Sequence, residues 1–196
     1  GTFMGGVAQL ARAAGHRVTG CDAGVYPPMS TQLEASGIEL MEGYDASQIA
    51  LNPDIFVVGN AVSRGNPLLE EILDRGLPYV SGPQWLAEHV LRRKWVLAVA
   101  GTHGKTTTSS MLAWILEDAG MAPGFLIGGV PVNFGISARL GETPFFVIEA
   151  DEYDNMFLGL NPTVSVITNI EYDHPDCFPT TESYLEAFRQ FLLRTQ

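Results

Sequence analysis

Cysteine, histidine and positive charge are all scarce in this sequence. Its 196 residues hold two cysteines, Cys21 and Cys177, with no CxxC spacing and no histidine-rich stretch. Neither a disulfide framework nor a structural zinc site is therefore expected, and a reduced, cytoplasmic setting is the default. Only 11 Lys+Arg face 22 Asp+Glu, for a formal net charge of −11. A nucleic-acid binder would need a basic face for phosphates, and an anionic membrane would repel such a chain, so no nucleic-acid or membrane partner is expected. No apolar run approaches the ~18 residues of a membrane span, and no signal-like segment opens the sequence. What is abundant is ordinary globular material. A hydrophobic fraction of 46% with 17% charged residues is too apolar for disorder.

Strand-like and helix-like segments alternate along the chain. GTFMGG (Gly1 to Gly6) reads as the tail of a glycine turn feeding a helix that stops at Gly15, as though an opening strand preceded it. Strands are expected at Arg17 to Cys21, Ile38 to Met41, Asp54 to Asn60 and Pro78 to Ser81, with helices near 30–36, 66–76 and 83–91 between and after them. DIFVVGN is a continuous apolar run, as a parallel strand covered on both faces requires. The charges Arg92-Arg93-Lys94 read as a solvated linker, after which the pattern restarts. From Trp95 come the strand VLAVA, a glycine-rich loop, a helix from Lys105 to Ala119, strands at 125–127, 145–149 and 164–168, and an amphipathic terminal helix. The fold class is α/β: a Rossmann-like parallel-sheet domain over residues 1–93, then a P-loop-type ATPase domain over 94–196, each cut short at its outer end. The three tryptophans are expected in core packing or domain contacts.

The strongest chemical motif is AVAGTHGKTTT, between a strand and a helix. Phosphate binding needs converging backbone N–H groups at a helix N-terminus, a lysine for the β/γ-phosphates and a hydroxyl for magnesium. Gly101, Thr102, His103, Gly104, Lys105, Thr106 and Thr107 supply these in order, although Val99 stands where the general P-loop has its first glycine. A second motif, FFVIEADEYD, is an apolar strand ending in Glu149, Asp151, Glu152 and Asp154. Crowded carboxylates need a compensating cation, and Mg²⁺ is bound through one or two carboxylates plus substrate phosphates. Asp154 alone reads better as a solvated loop residue, whereas for Glu149, still inside the strand, the solvated reading is the weaker of the two. A third strand runs out into Asn169, Glu171, Asp173 and His174, where His174 reads either as a structural histidine or as a metal ligand. In the first unit, the loop at Gly1 and Thr2 and the strand-end Asp22 have the layout of a nucleotide site, and Asn60 ends another strand.

GTHGKTT, EADE and TNIEYDH, in that order and spacing, resemble the Mur ligases, the ATP-dependent amide-forming enzymes of peptidoglycan synthesis. His103 and EADE look like the branch whose acceptor is UDP-N-acetylmuramate. YPPMSTQLEASGIEL, GNAVSRGNP, SGPQWL and GGVPVNFGISARLG resemble its peptidoglycan-recycling members, which take the tripeptide L-alanyl-γ-D-glutamyl-meso-diaminopimelate. MFLGLNPTVSVITNIEYDHPDCFP looks more like the members that take L-alanine. The resemblance implies ATP and Mg²⁺ as cofactors and UDP-N-acetylmuramate plus a peptide or amino-acid amine as partners. It also implies an acyl-phosphate intermediate and a third, C-terminal domain. Lys105, Glu149 and His174 would be catalytic: Lys105 on the β/γ-phosphates, Thr106 and Glu149 on one Mg²⁺, His174 with Glu149 on a second. Asn169 would support the nucleotide, and Gly1, Thr2, Asp22 and Asn60 would meet the UDP moiety.

The charge of −11 is local. Residues 1–141 carry 12 acidic and 9 basic groups, whereas residues 142–196 carry 10 acidic and 2 basic ones. The excess falls on the stretches assigned to magnesium. Metal ions, one lysine and backbone N–H groups would have to bring a polyanion in.

Overall fold

The computed structural model describes all 196 residues, and the chain divides into two compact units, Gly1–Trp85 and Leu86–Gln196. In the first unit, helix α1 (Thr2–Ala13) buries Gly5, Gly6, Val7, Leu10 and Ala11 along one face. Gly5 lets the helices close up: a Cβ there would lie 2.5 Å from the Met29 sulfur at the start of α2 (Met29–Ala35). Strands β1 (Thr19–Asp22) and β2 (Glu39–Glu42) pair in parallel, as do β3 (Phe56–Val58) and β4 (Tyr79–Ser81). A 3₁₀ turn (Ala46–Leu51) and helix α3 (Pro67–Asp74) link them. Helix α3 starts where the sequence says it should. Asn66 accepts from the Leu69 N–H at 3.1 Å, and Pro67 occupies the first turn, where its missing N–H costs nothing.

The elements alternate in parallel α/β order as expected, but the four strands form two separate two-stranded sheets. β3, expected to be covered on both faces, is only half-buried and has a single neighbour in its sheet. The expected helix at 83–91 begins at Gly82 as α4 (Gly82–Leu86) and widens into a π-turn (Ala87–Leu91). Lys94 is not a solvated linker residue. Its ammonium donates to Thr143 O at 2.7 Å and reaches Leu140 O at 3.4 Å.

The second unit is built on one five-stranded sheet in the order β7-β6-β8-β5-β9. β5 (Trp95–Ala100), β6 (Gly124–Leu126), β8 (Phe145–Glu149) and β9 (Val164–Ile167) run parallel, and the unforeseen short β7 (Ala138–Arg139) runs antiparallel at the edge. On one face, Phe125, Ile127 and Val147 pack with Ala113 of α5 (Lys105–Asp118). A second aromatic cluster sets α6 (Thr181–Leu192) against the 3₁₀ segment Tyr153–Gly159, with Phe157 stacked on Phe191 at 4.7 Å. Each fully buried ring contributes about 1.5–3 kcal/mol. Trp95 and Trp114 are exceptions to the core expectation. They are 57% and 41% exposed, and each meets a phenylalanine edge-on. No helix is long and apolar enough to cross a membrane.

β5 lies between β8 and β9, so the loop after it opens where the strand order reverses. Polar groups collect at such a point in open α/β sheets.

Candidate active site

Gly101 leaves β5 at φ +131, and a Cβ on it would collide with Thr168 Oγ1 and lie 2.9 Å from Asn169 O. Only glycine fits there, because the loop must pass against the end of β9. From that side Asn169 holds the loop at both ends of one residue. Its Oδ1 accepts the His103 N–H at 3.0 Å, and its Nδ2 donates to His103 O at 3.1 Å. Asn169 O also accepts the Thr102 N–H, and Thr168 Oγ1 donates to His103 O at 2.6 Å. The backbone N–H groups of Thr102 and His103 are thus committed to the loop's own scaffold.

The next N–H groups are differently placed. Gly104 caps α5 in the left-handed conformation, φ +83, with no side-chain cap. The first-turn N–H groups of Lys105, Thr106 and Thr107 have no intrahelical acceptor and carry the positive end of the helix dipole. Three threonines in succession are poor helix formers. Ser109 and Ser110 hydroxyls bond back to the carbonyls of Lys105 and Thr106 at 2.7 and 2.6 Å. Thr102 to Thr107 and Glu149 line an open cleft of about 360 Å³. In the first unit a hollow of about 520 Å³ is lined by Ala46, Ser47, Ile49, Ala50, Asn52, Glu71 and Arg75.

Two side-chain pairs complete the cleft. Thr106 Oγ1 donates to Glu149 Oε1 at 3.0 Å, and Glu149 Oε2 accepts the Gly128 N–H at 2.7 Å. Lys105 Nζ donates to Gly101 O at 2.7 Å and to Glu152 Oε2 at 2.8 Å, with Thr102 O at 3.4 Å. Glu152 is fully buried. A bare carboxylate could not survive there unless paired. Its other oxygen accepts from the Tyr184 hydroxyl at 3.2 Å. The Tyr184 phenol is pushed up to about 12, chiefly by burial, with the Glu152 charge adding and the Thr102 hydrogen bond opposing.

Sequence alone gives Glu152 and Tyr184 no separate role. The first was one of four strand-end carboxylates and the second one of several apolar helix positions. The spacing of Glu152 three residues beyond Glu149 was the available signal.

The structure brings Thr106 and Glu149 together and sets Lys105 beside them. His174 instead faces Glu152 Oε1 at 3.7 Å and Asp173 Oδ2 at 3.9 Å, with Tyr153 edge-on to its ring. No three histidine, cysteine, aspartate or glutamate side chains converge as a metal cage. The hard oxygens of Thr106 and Glu149 suit Mg²⁺, an ion that keeps several waters and takes substrate phosphates for the rest. In the first unit, Asp22 Oδ1 accepts the Gly24 N–H at 3.3 Å. Thr2 opens α1, and Asn60 is exposed in the turn after β3.

Residues 1–94 match the profile of the Mur ligase family catalytic domain, and residues 99–196 match that of the Mur ligase middle domain. The chain belongs to the Mur ligase family. Among curated Mur ligases, it is 56% identical over 199 residues to the UDP-N-acetylmuramate–L-alanyl-γ-D-glutamyl-meso-2,6-diaminoheptandioate ligase of Escherichia coli K12, covering 98% of this chain and 44% of that protein. It is 40% identical over 192 residues to the UDP-N-acetylmuramate–L-alanine ligase of Geotalea uraniireducens Rf4, covering 98% of this chain and 41% of that one. The crystal structure of the UDP-N-acetylmuramate:L-alanyl-γ-D-glutamyl-meso-diaminopimelate ligase from Neisseria meningitides superposes with a TM-score of 0.95 at 54% identity. That match covers all of this chain and 66% of that one. The chain thus spans less than half the length of these curated relatives.

Proposed function

We propose that this chain carries the ATP- and UDP-sugar-binding units of a cytoplasmic, ATP-dependent peptide ligase. The parent enzyme would join L-alanyl-γ-D-glutamyl-meso-diaminopimelate to UDP-N-acetylmuramate in peptidoglycan recycling. The observation that carries the reading is the uncapped start of α5, with Lys105 and the Thr106–Glu149 pair set around it. The higher identity to the tripeptide ligases than to the L-alanine ligase favours the tripeptide as amine.

In this reading the lactyl carboxylate attacks the γ-phosphate of ATP, releasing ADP and forming an acyl phosphate, and the amine then attacks the acyl carbon and displaces inorganic phosphate to form the amide. Such transfers depend on positioning and charge neutralisation. The first-turn N–H groups of α5 would receive phosphate oxygens, and Lys105 would bring one positive charge to the β/γ-phosphates. Bound Mg²⁺, held by Thr106 and Glu149, would neutralise phosphate charge. Asn169 would act indirectly, by holding His103 and so fixing the loop. His174 is assigned with Glu149 to a second Mg²⁺ on the sequence resemblance; the distances set it beside Glu152 and Asp173. Residues 1–93 would form the UDP-sugar domain, with Gly1, Thr2, Asp22 and Asn60 as contacts, and residues 94–196 the ATP-binding domain.

The test is ligation by a protein carrying this chain at the full length of its relatives, given UDP-N-acetylmuramate, ATP and either tripeptide or L-alanine. Product with the tripeptide is expected. Product with L-alanine alone would replace the amine assignment, and no ATP-dependent product with either would overturn the reading.

A further inference from the structure

Glu152 is the most deeply buried charged side chain of the chain, fully enclosed, and its cationic partner is the phosphate-loop lysine itself. Its two oxygens do different work. Oε2 accepts from Lys105 Nζ at 2.8 Å, and Oε1 accepts from the Tyr184 hydroxyl at 3.2 Å. That hydroxyl also lies 2.8 Å from Thr102 Oγ1, which accepts the Glu171 N–H at 2.9 Å and can give its single proton either to the Tyr184 oxygen, completing the chain, or to Glu171 O at 2.8 Å. A continuous polar chain therefore runs from the loop lysine through Glu152 and Tyr184 back to the loop at Thr102. Its framework members sit on separate elements: Glu152 follows β8, and Tyr184 belongs to α6.

We propose that Glu152, held by Tyr184, is a positioning residue that fixes the Lys105 ammonium at the phosphate cleft, an inference that rests on the nucleotide reading above. A lysine is a flexible four-carbon arm, and holding its charge at one point has to overcome its rotamer freedom. Here two of the three ammonium donors are fixed, by Gly101 O and Glu152 Oε2. The third has only the long 3.4 Å contact to Thr102 O and is the one a phosphate oxygen would take. An ion pair with a purely structural task would not need its cation at the cleft wall, where Lys105 stands with 13% of its side chain exposed.

The test is a double-mutant cycle on the chain, reading ATP affinity by titration calorimetry in Mg²⁺ and melting temperature in parallel. Glu152→Gln is expected to weaken ATP binding about tenfold and Tyr184→Phe about threefold. In a Lys105→Ala background, Glu152→Gln is expected to cause no further loss, since there is no ammonium left to place. Equal losses in both backgrounds, or a lowered melting temperature with ATP affinity unchanged, would overturn the proposal in favour of a structural pair. If Glu152→Gln does not fold, the same cycle with Tyr184→Phe decides by the same criteria. Unchanged ATP affinity in Lys105→Ala would instead bring down the nucleotide reading itself.

Discussion

Replacing Lys105 by alanine removes the one positive charge set at the cleft, while the α5 N–H groups and the Thr106–Glu149 pair remain. ATP affinity should fall about 10- to 100-fold, the range of a hydrogen bond to a charged group, and calorimetry on the chain would measure it. Gly101→Ala probes a different cause. At φ +131, with Thr168 and Asn169 in the way, the added methyl group must push the loop off the end of β9. A loss of about 1–3 kcal/mol in stability by chemical denaturation, together with lost ATP binding, is expected. At this scale the sequence was legible wherever a residue type has one use. Gly101, Gly104, Lys105 and Thr106 stand where the glycine-lysine-threonine pattern predicts a helix-starting loop. It was illegible where burial decides. Nothing in EADE distinguishes Glu152, fully enclosed on Lys105, from Asp154, left in the exposed loop, because that difference arises only when α6 closes over the strand end.

Helix starts are set by local chemistry. The α6 start is a capping box in which Thr180 Oγ1 accepts the Ser183 N–H at 3.1 Å and Ser183 Oγ accepts the Thr180 N–H at 3.2 Å. Thr180→Ala should cost about 1 kcal/mol, a drop of roughly 2–4 °C in melting temperature by calorimetry. At α3, Glu70 receives a two-pronged hydrogen bond from Arg64, the main cause, and the Gly65 N–H, which together lower its carboxyl to about 2. A carboxyl depressed in the fold favours folding above its ordinary pKa near 4.5 and loses that contribution as pH falls towards 2. Carboxyl NMR should show Arg64→Ala returning Glu70 towards the ordinary value. Sheet pairing is not set locally. An apolar run such as DIFVVGN announces a strand but not its neighbours, and β3 with a single partner stays half-buried. The two-residue β7 carries no periodicity at all.

Across the whole chain the charge distribution sets a condition on binding. The stretch 142–196 holds 10 acidic and 2 basic residues, yet it supplies Glu149 to a cleft proposed for a polyanion and buries Glu152 behind the cleft lysine. Metal must then do more than lysine alone can. Chelation of Mg²⁺ should weaken ATP binding by about tenfold or more, and Glu149→Ala should blunt that dependence while leaving metal-free affinity little changed. Titration calorimetry with and without chelator reads both. The strand–helix alternation restarts after Lys94, whereas the compact units divide between Trp85 and Leu86, so that division was not legible. Nor was the anchoring of Lys94 itself, since the carbonyls that hold it come from residues some fifty positions further on.

Only two lysines occur in the sequence, and both ammonium groups are tied to main-chain carbonyls: Lys94 to Thr143, Lys105 to Gly101. Amine-directed labelling therefore has just two lysine targets, neither of them a freely solvated side chain. They lie on different peptides after cleavage at aromatic residues, because Trp95 stands between them, so mass spectrometry can follow each separately. Slower acylation of Lys105 in the presence of ATP, with Lys94 as the internal reference, would report occupancy of the loop in the unaltered protein.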